Sequence, residues 1–406
     1  MPILEGTNLT LRKANIAMAS AFFPRAKEWL FPKICGSYVT TSLDEQHAIG
    51  GAAPPLKLYT GNLGSTGIPS WTLNIPNLLY KNFLEVKRQE LEGDQTRTII
   101  RYADQMGVAL ADFPDQLLAR RILTGSSTAS ATEAFNGKSY TVTMDGLPIF
   151  SNVHQLDGVT NQSNIITGNL PTTFAAVAAQ DLAVSANQMQ RDLLSIVQKI
   201  KTVKDNQGMP IFPTINIKKN VIVALPAELE VVGNLAFLQA GTIGGTNGTG
   251  GSSGSTTSIA PMYVRDVFTT GYLSGLPDPE APGTTLTPTY QTQYYVFIVN
   301  DYVRPFYTQL FKPVGPNDLF PASYKIDSVI DAALKAAKAV GVDNMSQAAT
   351  MFASTIVETN LNAVGSNAQW DTVVNEKHFM SARWRGNIVV GPWFCAWKVD
   401  PTGTSA

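Results

Sequence analysis

Residues 71–92, WTLNIPNLLYKNFLEVKRQELE, constrain the fold of this chain more than any other stretch. Trp71, Leu73 and Ile75 alternate with Thr72 and Asn74 at a period of two, the spacing of a half-buried strand. Pro76-Asn77 interrupts the run. Beyond it Phe83, Glu85 and Lys87 fall on one face, and Leu84, Val86 and Arg88 on the other. The pattern predicts a long β-hairpin that turns at Pro76-Asn77 and carries charge along its far strand as far as Glu92. A ribbon this long and this polar does not fit inside a core. It is expected to project from the body.

The following segments carry helical periodicity. Between 96 and 123, Ile99, Ala103, Met106 and Leu110 form one stripe, and Leu117, Leu118, Ile122 and Leu123 extend an apolar face. Pro114 falls inside, so the expectation is one long bent helix or two in tandem, closed by Gly125. A second long helix follows Pro171, with Thr172 as N-cap and a stripe of Leu182, Met189, Leu193, Ile196, Ile200 and Val203. NVIVALP reads as a strand and AELEVVGNLAFL as a short helix. QYYVFIVN, with its continuous apolar run, reads as a buried strand. The tract 241–258, GTIGGTNGTGGSSGSTTS, is a surface loop or a linker. Ala-rich helices are expected over 326–360. The closing segment HFMSARWRGNIVVGPWFCAWKV is divided into short strands by Gly386 and Gly391-Pro392. Near the start, residues 11–30 suit an amphipathic helix with Phe22, Phe23, Trp29 and Leu30 as anchors. Either an arm that packs on another molecule or an ordinary helix on its own core satisfies that pattern.

Length and charge narrow the class. At 406 residues the chain suits two domains or one large elaborated one, with a core that needs no staples. Charged residues are 15% of the sequence, against about 25% in average usage. Interfaces between partners have such depleted centres, and so do β-rich folds with Ser, Thr, Asn and Gly surfaces. A net charge of −1 gives the whole chain no electrostatic pull onto nucleic acid or anionic membrane. Two basic patches, Lys218-Lys219 and RDLLSIVQKIKTVK, are each too sparse for a nucleic-acid footprint alone. Cys35 and Cys395, the only two cysteines, form neither a metal cluster nor a redox motif; they can pair only if the termini meet. No apolar run reaches the ~18 residues of a spanning helix, and the first twenty residues lack a signal-peptide layout. Cytoplasmic synthesis and no membrane partner are therefore expected.

MDGLPIFSNVHQLDG, residues 144–158, holds the densest set of catalytic residue types: Asp145, Ser151, His154 and Asp157. It has no G-x-S-x-G nucleophile elbow, and neither other histidine, His47 or His378, is near enough in sequence to suggest a zinc site. The better reading is structural. Asp145-Gly146 makes a turn, residues 147–150 are buried, and Asn152 and His154 bond loop backbone. The carboxylates Glu85, Glu90, Glu92 and Asp94 could supply a glycosidase pair, but a solvated hairpin face is the commoner meaning of such a run. The glycine-rich tract has no GK[ST] and is not a phosphate loop. No catalytic residue, cofactor or metal is assigned.

The order of segments resembles one family. SWTLNIPNLLYKNFLEVKRQELEGD, FPDQLLARRILTG, MDGLPIFSNVH, SNIITGNL, NVIVALPAELE, VRPFYTQLFKP and EKHFMSARWRGNIVVGPWFCAWKV follow one another as in the major head subunit of Mu-type tailed phages, a major capsid protein family. The likeness covers 59–235, about 290–320 and 370–400. The 241–258 tract, the 326–360 block and the first fifty residues depart from it. The resemblance implies an α+β Hong Kong 97-type fold. An N-terminal arm would occupy 1–58 and an extended hairpin loop 59–95. A peripheral domain would take 96–159 and 321–406, with a helical insertion at about 326–360, and an axial domain 160–320. Trp71, Leu73, Ile75, Tyr80, Phe83, Glu85, Lys87, Arg88 and Glu92 would line the subunit interface of the hairpin. Ile99, Met106, Pro114 and Leu117 would belong to the spine helix. The implied function is self-assembly through hexamers and pentamers into an icosahedral head around non-specifically held double-stranded DNA, in a virion put together in the host bacterial cytoplasm. Portal, scaffold and decoration proteins would be partners. An encapsulin-like nanocompartment shell and a carbohydrate-active enzyme are the alternatives. Deleting 61–80 is expected to leave a folded subunit that cannot close shells.

Overall fold

A computed structural model describes residues 17–50 with short gaps, 70–87, 98–156, 160–205, 217–238, 260–311 with short gaps and 377–401. It also describes the pieces 210–211, 242–243, 256–257 and 358–359. The fold is α+β, with two five-stranded sheets.

The first sheet joins β1 (Cys35–Thr40), β15 (Phe306–Phe311) and β17 (Lys377–Val390), with β16 (Glu358–Thr359) and β4 (Leu78–Lys87) also on β17. β1 runs parallel to β15, and β15 antiparallel to β17. The second sheet has the order β11 (Val264–Thr270), β8 (Val221–Pro226), β14 (Tyr294–Ile298), β18 (Ala396–Pro401), β7 (Ile165–Gly168). β7, β8, β11 and β18 run in one direction and β14 in the other. β2 (Asp44–Gly50) pairs with β3 (Ser70–Pro76) as a separate antiparallel ribbon. Three small hairpins complete the strands: β5 (Thr132–Phe135) with β6 (Lys138–Thr141), β9 (Thr242–Ile243) with β10 (Thr256–Thr257), and β12 (Leu276–Pro277) with β13 (Thr285–Leu286).

The central strands β8 and β14 of the second sheet are buried on both faces, which explains their unbroken apolar runs. On β8 and β14, Ile222, Ala224, Tyr295 and Phe297 face a core shared with the first sheet and the first long helix, Thr98–Leu123. Val221, Val223, Tyr294, Val296 and Ile298 face a second core. That core is closed by the second long helix, Leu182–Thr202, whose Met189, Leu193, Ile196 and Ile200 are fully buried. Leu182, expected on the same stripe, is 43% exposed. Asp181 caps this helix through Ala183 N–H, and a separate short helix, Phe174–Ala178, is capped by Thr173 rather than Thr172.

The first long helix is a single element of 26 residues with Pro114 inside it. Ile99, Ala103 and Leu117 are buried, while Met106 and Leu110 are half-buried; the tightest stripe runs instead through Gly107, Ala111 and Pro114. Gly107 is needed there because a Cβ would lie 2.3 Å from the carbonyl oxygen of Met18. The N-terminal segment therefore packs on its own body: Met18, Phe22 and Trp29 are buried. Trp29 Nε1–H donates to Ala111 O at 2.7 Å, beside the turn where Pro114 has no N–H to give. Asp115 accepts the Leu30 and Phe31 N–H groups. The arm reading fails for these residues because aromatic burial on the helix was available within the same chain.

The predicted hairpin forms its two strands but not its pairing. β3 pairs with β2, and β4 pairs with β17, some three hundred residues away in sequence. A two-residue hairpin turn needs left-handed backbone, and the non-glycine residues with positive φ among those described are Asn136 and Lys219, not Pro76 or Asn77. Asn77 is buried and bonds Ser42 O, so the chain passes straight on from one partner strand to the next. Gly386 does not break β17 either. It pairs with both Leu310 and Leu78, and a Cβ there would meet Gln309 O at 2.4 Å. Gly391 and Pro392 do end the strand, and a 3-10 turn, Trp393–Cys395, carries the chain to the second sheet. β15 thus belongs to the first sheet and β18 to the second, the reverse of the expected division at 320. Cys35 and Cys395 are buried free thiols in different cores, and burial pushes the Cys35 thiol up to about 12. The ends of the Gly/Ser tract pair as β9 and β10. Apart from β16, the 326–360 block lies outside the described residues, as do Arg88 and Glu92.

Candidate functional site

The stretch 144–156 is a closed loop rather than a reaction centre. Gly146 has φ +74°, and Asp145 Oδ1 accepts Leu147 N–H at 3.2 Å, so Asp145-Gly146 forms the expected turn. His154 is fully buried, and its ring stacks on Trp393 with centroids 4.3 Å apart. Its Nδ1 lies 2.6 Å from Asp145 Oδ2 and its Nε2–H donates to Ile149 O at 3.1 Å. Neither ring nitrogen is left to take a proton from Ser151, whose Oγ accepts the Val153 N–H instead. Asn164 completes the joint. Its side-chain amide donates to Ile149 O and Ala396 O and its oxygen accepts the Ser151 N–H, tying the loop to β18. Asp157 lies outside the described residues.

The feature that extends beyond the β15 pairing is the ribbon of β4 and β17. The last five residues of β17 lie in the first sheet, on β15. Its residues 377–386 pair with residues 78–87 of β4, ten pairs that extend about 34 Å at strand spacing. Among the described residues, the other strand on this part of β17 is β16, on Met380 and Ser381. Lys81 and Asn82 are exposed, and Leu79 is 55% exposed. A narrow ribbon whose third strand spans two residues is marginal in water by itself, so it depends on its root.

The root is an aromatic clamp over a buried ionic network. Tyr80, Phe113 and Trp384 meet with ring centroids 4.7 to 5.5 Å apart, and Trp384 is fully buried. Tyr80 O–H donates to Glu280 Oε1 at 2.8 Å; burial, then the Glu280 charge, pushes this phenol upward. Glu280 also takes Arg120 Nη2 at 2.8 Å, and Arg120 Nε reaches Asp278 at 2.7 Å. Arg121 is buried and paired with Glu133; it donates to Asn387 Oδ1 at 3.1 Å. Burial alone would lower its guanidinium, but the Glu133 and Glu280 carboxylates outweigh that and raise it. Asn387 in turn donates to Pro76 O. Six segments thus converge: β3, β4, the first long helix, β5, the loop after β12, and β17. Such a network is worth more for fixing one arrangement than for raw stability.

The expected interface residues separate on this geometry. Leu73 and Ile75 are buried within the chain's own third core, with Val142, Tyr307 and Val389, and are not available to a neighbour. Tyr80 belongs to the root. Trp71 sits on β3 opposite Ile49; Phe83, Glu85 and Lys87 sit on the outer part of β4 opposite Ser381, Phe379 and Lys377. Removing residues 61–80 would take β3 and Tyr80 with it and open two cores, so that deletion does not leave a folded subunit. Of the carboxylates considered for an enzyme, Asp145 is committed to His154, while Glu90, Glu92, Asp94 and Asp157 lie outside the described residues. Among the described residues no three His, Cys, Asp or Glu side chains are grouped to hold a metal, and no helix is long and apolar enough to cross a membrane. The sequence carried one overlooked signal, the adjacent pair Arg120-Arg121 at the inner end of a helix. Two cations there require buried carboxylates nearby, but their origin in β5 and the 278–280 loop is not local information.

No family model and no curated protein matches the sequence. Solved structures similar to the chain include the capsid of bacteriophage JBD30, at 10% identity and TM-score 0.40, covering 91% of this chain and 64% of that one. The chain therefore spans about two thirds of that subunit's length. The mature capsid of bacteriophage PhiM1 is similar at 10% identity and TM-score 0.49, covering 92% of this chain and 87% of that one. A virus-like particle from Pyrococcus furiosus is similar at 6% identity and TM-score 0.43, covering 94% and 97%.

Proposed function

We propose that this chain is a shell-forming subunit, a major capsid protein of the Mu-type head family on the Hong Kong 97-type fold. Its copies assemble through hexamers and pentamers into a phage head that encloses double-stranded DNA. One observation carries this reading: a ten-pair ribbon runs on from the part of β17 that pairs with β15, and among the described residues an aromatic and ionic root fixes its inner end. A narrow extension with exposed Lys81 and Asn82 gains stability by lying on a neighbouring copy. Many modest contacts of this kind add up in a closed shell. The motif order of the sequence supplies the family, and with it the portal, scaffold and decoration partners. The rigid root supports the same reading, since tiling needs a fixed angle between ribbon and body.

Negative-stain microscopy of the full chain, expressed with the genes that neighbour its own, tests the proposal. Closed, DNA-filled particles are expected. A monodisperse monomer would overturn it, and closed shells filled with protein cargo would favour the nanocompartment.

A further inference from the structure

The two basic stretches that are sparse in sequence come together in the fold. β7, β8 and β11 are parallel, so their N-terminal ends lie along one edge of the second sheet. The second long helix runs back antiparallel to β7: Asp192 holds Asn169 N–H past the strand's far end, and Lys204 N–H donates to Gln162 Oε1 before its start. Lys199, Lys201 and Lys204 are therefore delivered to the N-terminal edge, and all three are exposed. Lys218 and Lys219 form the turn that opens β8, where Lys219 N–H donates to Met262 O at the entrance to β11. Arg265 follows on β11, exposed, at the register shift between Val264 and Asp266.

Two backbone features single out these cations. Lys219 has φ +61°, a left-handed conformation that costs a non-glycine residue about 1 kcal/mol and tends to persist where function holds it. Arg265 occupies a bulge, a device that re-aims a side chain off the regular pleat. Among the described residues none of the six is paired with a carboxylate. Of the described acids at this edge, Asp266 is held by Lys33 at 2.6 Å and Asp205 is buried. The opposite edge carries Asp181, Glu228 and Glu230, so a chain of net charge −1 has a charge-segregated domain.

We infer that this edge, Lys199, Lys201, Lys204, Lys218, Lys219 and Arg265, is a contact surface for the phosphate backbone of duplex DNA and faces the shell interior. The inference rests on the capsid reading above. It is a docking surface without base readout: six exposed cations at a helix end, a turn and the start of an edge strand offer positive charge to phosphates and no recognition element for a groove.

The test measures binding of the dispersed full-length chain to a fluorescein-labelled duplex between about 50 and 200 mM salt. If all six cations meet phosphates, log Kobs against log salt falls with a slope of about −5. K199Q/K201Q/K204Q is expected to bring it to about −3, and K218Q/K219Q/R265Q to do the same. Glu228→Gln with Glu230→Gln, at the opposite edge, leaves the slope unchanged. Slopes equal to wild type in both triple variants overturn the assignment. Tighter binding of polyglutamate than of duplex at equal charge also overturns it, in favour of an acidic segment of another copy. Microscopy of the same preparations keeps the two proposals apart. Shells without duplex affinity defeat this inference alone, and duplex affinity without shells defeats the capsid reading.

Discussion

Arg121 is the residue whose loss tests the root of the ribbon most sharply. Replacing it with Met keeps the length of the aliphatic stem and removes the charge. Glu280 keeps Arg120 at 2.8 Å, so a single carboxylate, Glu133, is left buried without a cation, at 7% side-chain exposure and with the Asn387 Nδ2–H at 3.3 Å as its remaining donor. Breaking a buried pair on one side costs about 3–5 kcal/mol, and the retained donor places Arg121→Met near the lower end, about 3 kcal/mol. Glu133→Gln leaves Arg121 with Glu280 at 3.7 Å and Asn387 at 3.1 Å, and is expected to cost about 2 kcal/mol. The double variant has neither buried charge to strand. It should cost about 3 kcal/mol rather than the additive 5, a coupling of about 2 kcal/mol. Urea unfolding of the full chain at low concentration, followed by circular dichroism with the m-value held as a check, reads all four corners of the cycle. Additivity within about 0.5 kcal/mol would refute the network as the element that holds the root.

Two further substitutions probe the joints around that root. Burial pushes the Asp115 carboxyl up from 3.8 to about 6, against the Leu30 and Phe31 N–H groups that favour its charge. Its folded-state value is the higher one, so its stabilisation is full below pH 3.8 and is lost as pH rises through about 6. The melting temperature of wild type minus that of Asp115→Asn should therefore be larger near pH 5 than near pH 7.5; equal differences, or the reverse order, would contradict the burial argument. Gly386→Ala should destabilise by about 2 kcal/mol and speed amide exchange in residues 306–310, since its Cβ meets a backbone oxygen that cannot move aside cheaply. Unchanged exchange there would mean that β15 and β17 tolerate wider spacing.

What the sequence reveals follows the range over which each signal acts. The second long helix, the first long helix and the strands β8 and β14 are legible because burial of one face or of both writes its period into neighbouring residues. The strands β3 and β4 are legible for the same reason, but their partners are not. Pairing of Lys87 with Lys377, or of Tyr80 with Trp384, depends on residues some three hundred positions apart, and alternation says nothing about who lies opposite. Leu73 and Ile75 show the consequence, since their apolar face closes an internal core instead of a neighbour's groove. Gly386 was expected to end a strand and instead allows one to cross another closely. The structural reading of His154 was legible because a missing elbow and a missing second histidine are themselves visible in sequence; its stacking partner Trp393 was not. The ionic root and the convergence of Lys204 with Lys219 come from topology alone.

A photo-reactive benzoylphenylalanine at Asn82, exposed on β4 beyond the aromatic root, gives the most direct measurement on the central claim. In assembled material the account predicts adducts of twice the subunit mass, with peptides from position 82 joined to a different copy when isotopically distinct chains are mixed before assembly. Adducts confined to one chain at every protein concentration would contradict it, because the ribbon would then be folded against its own body.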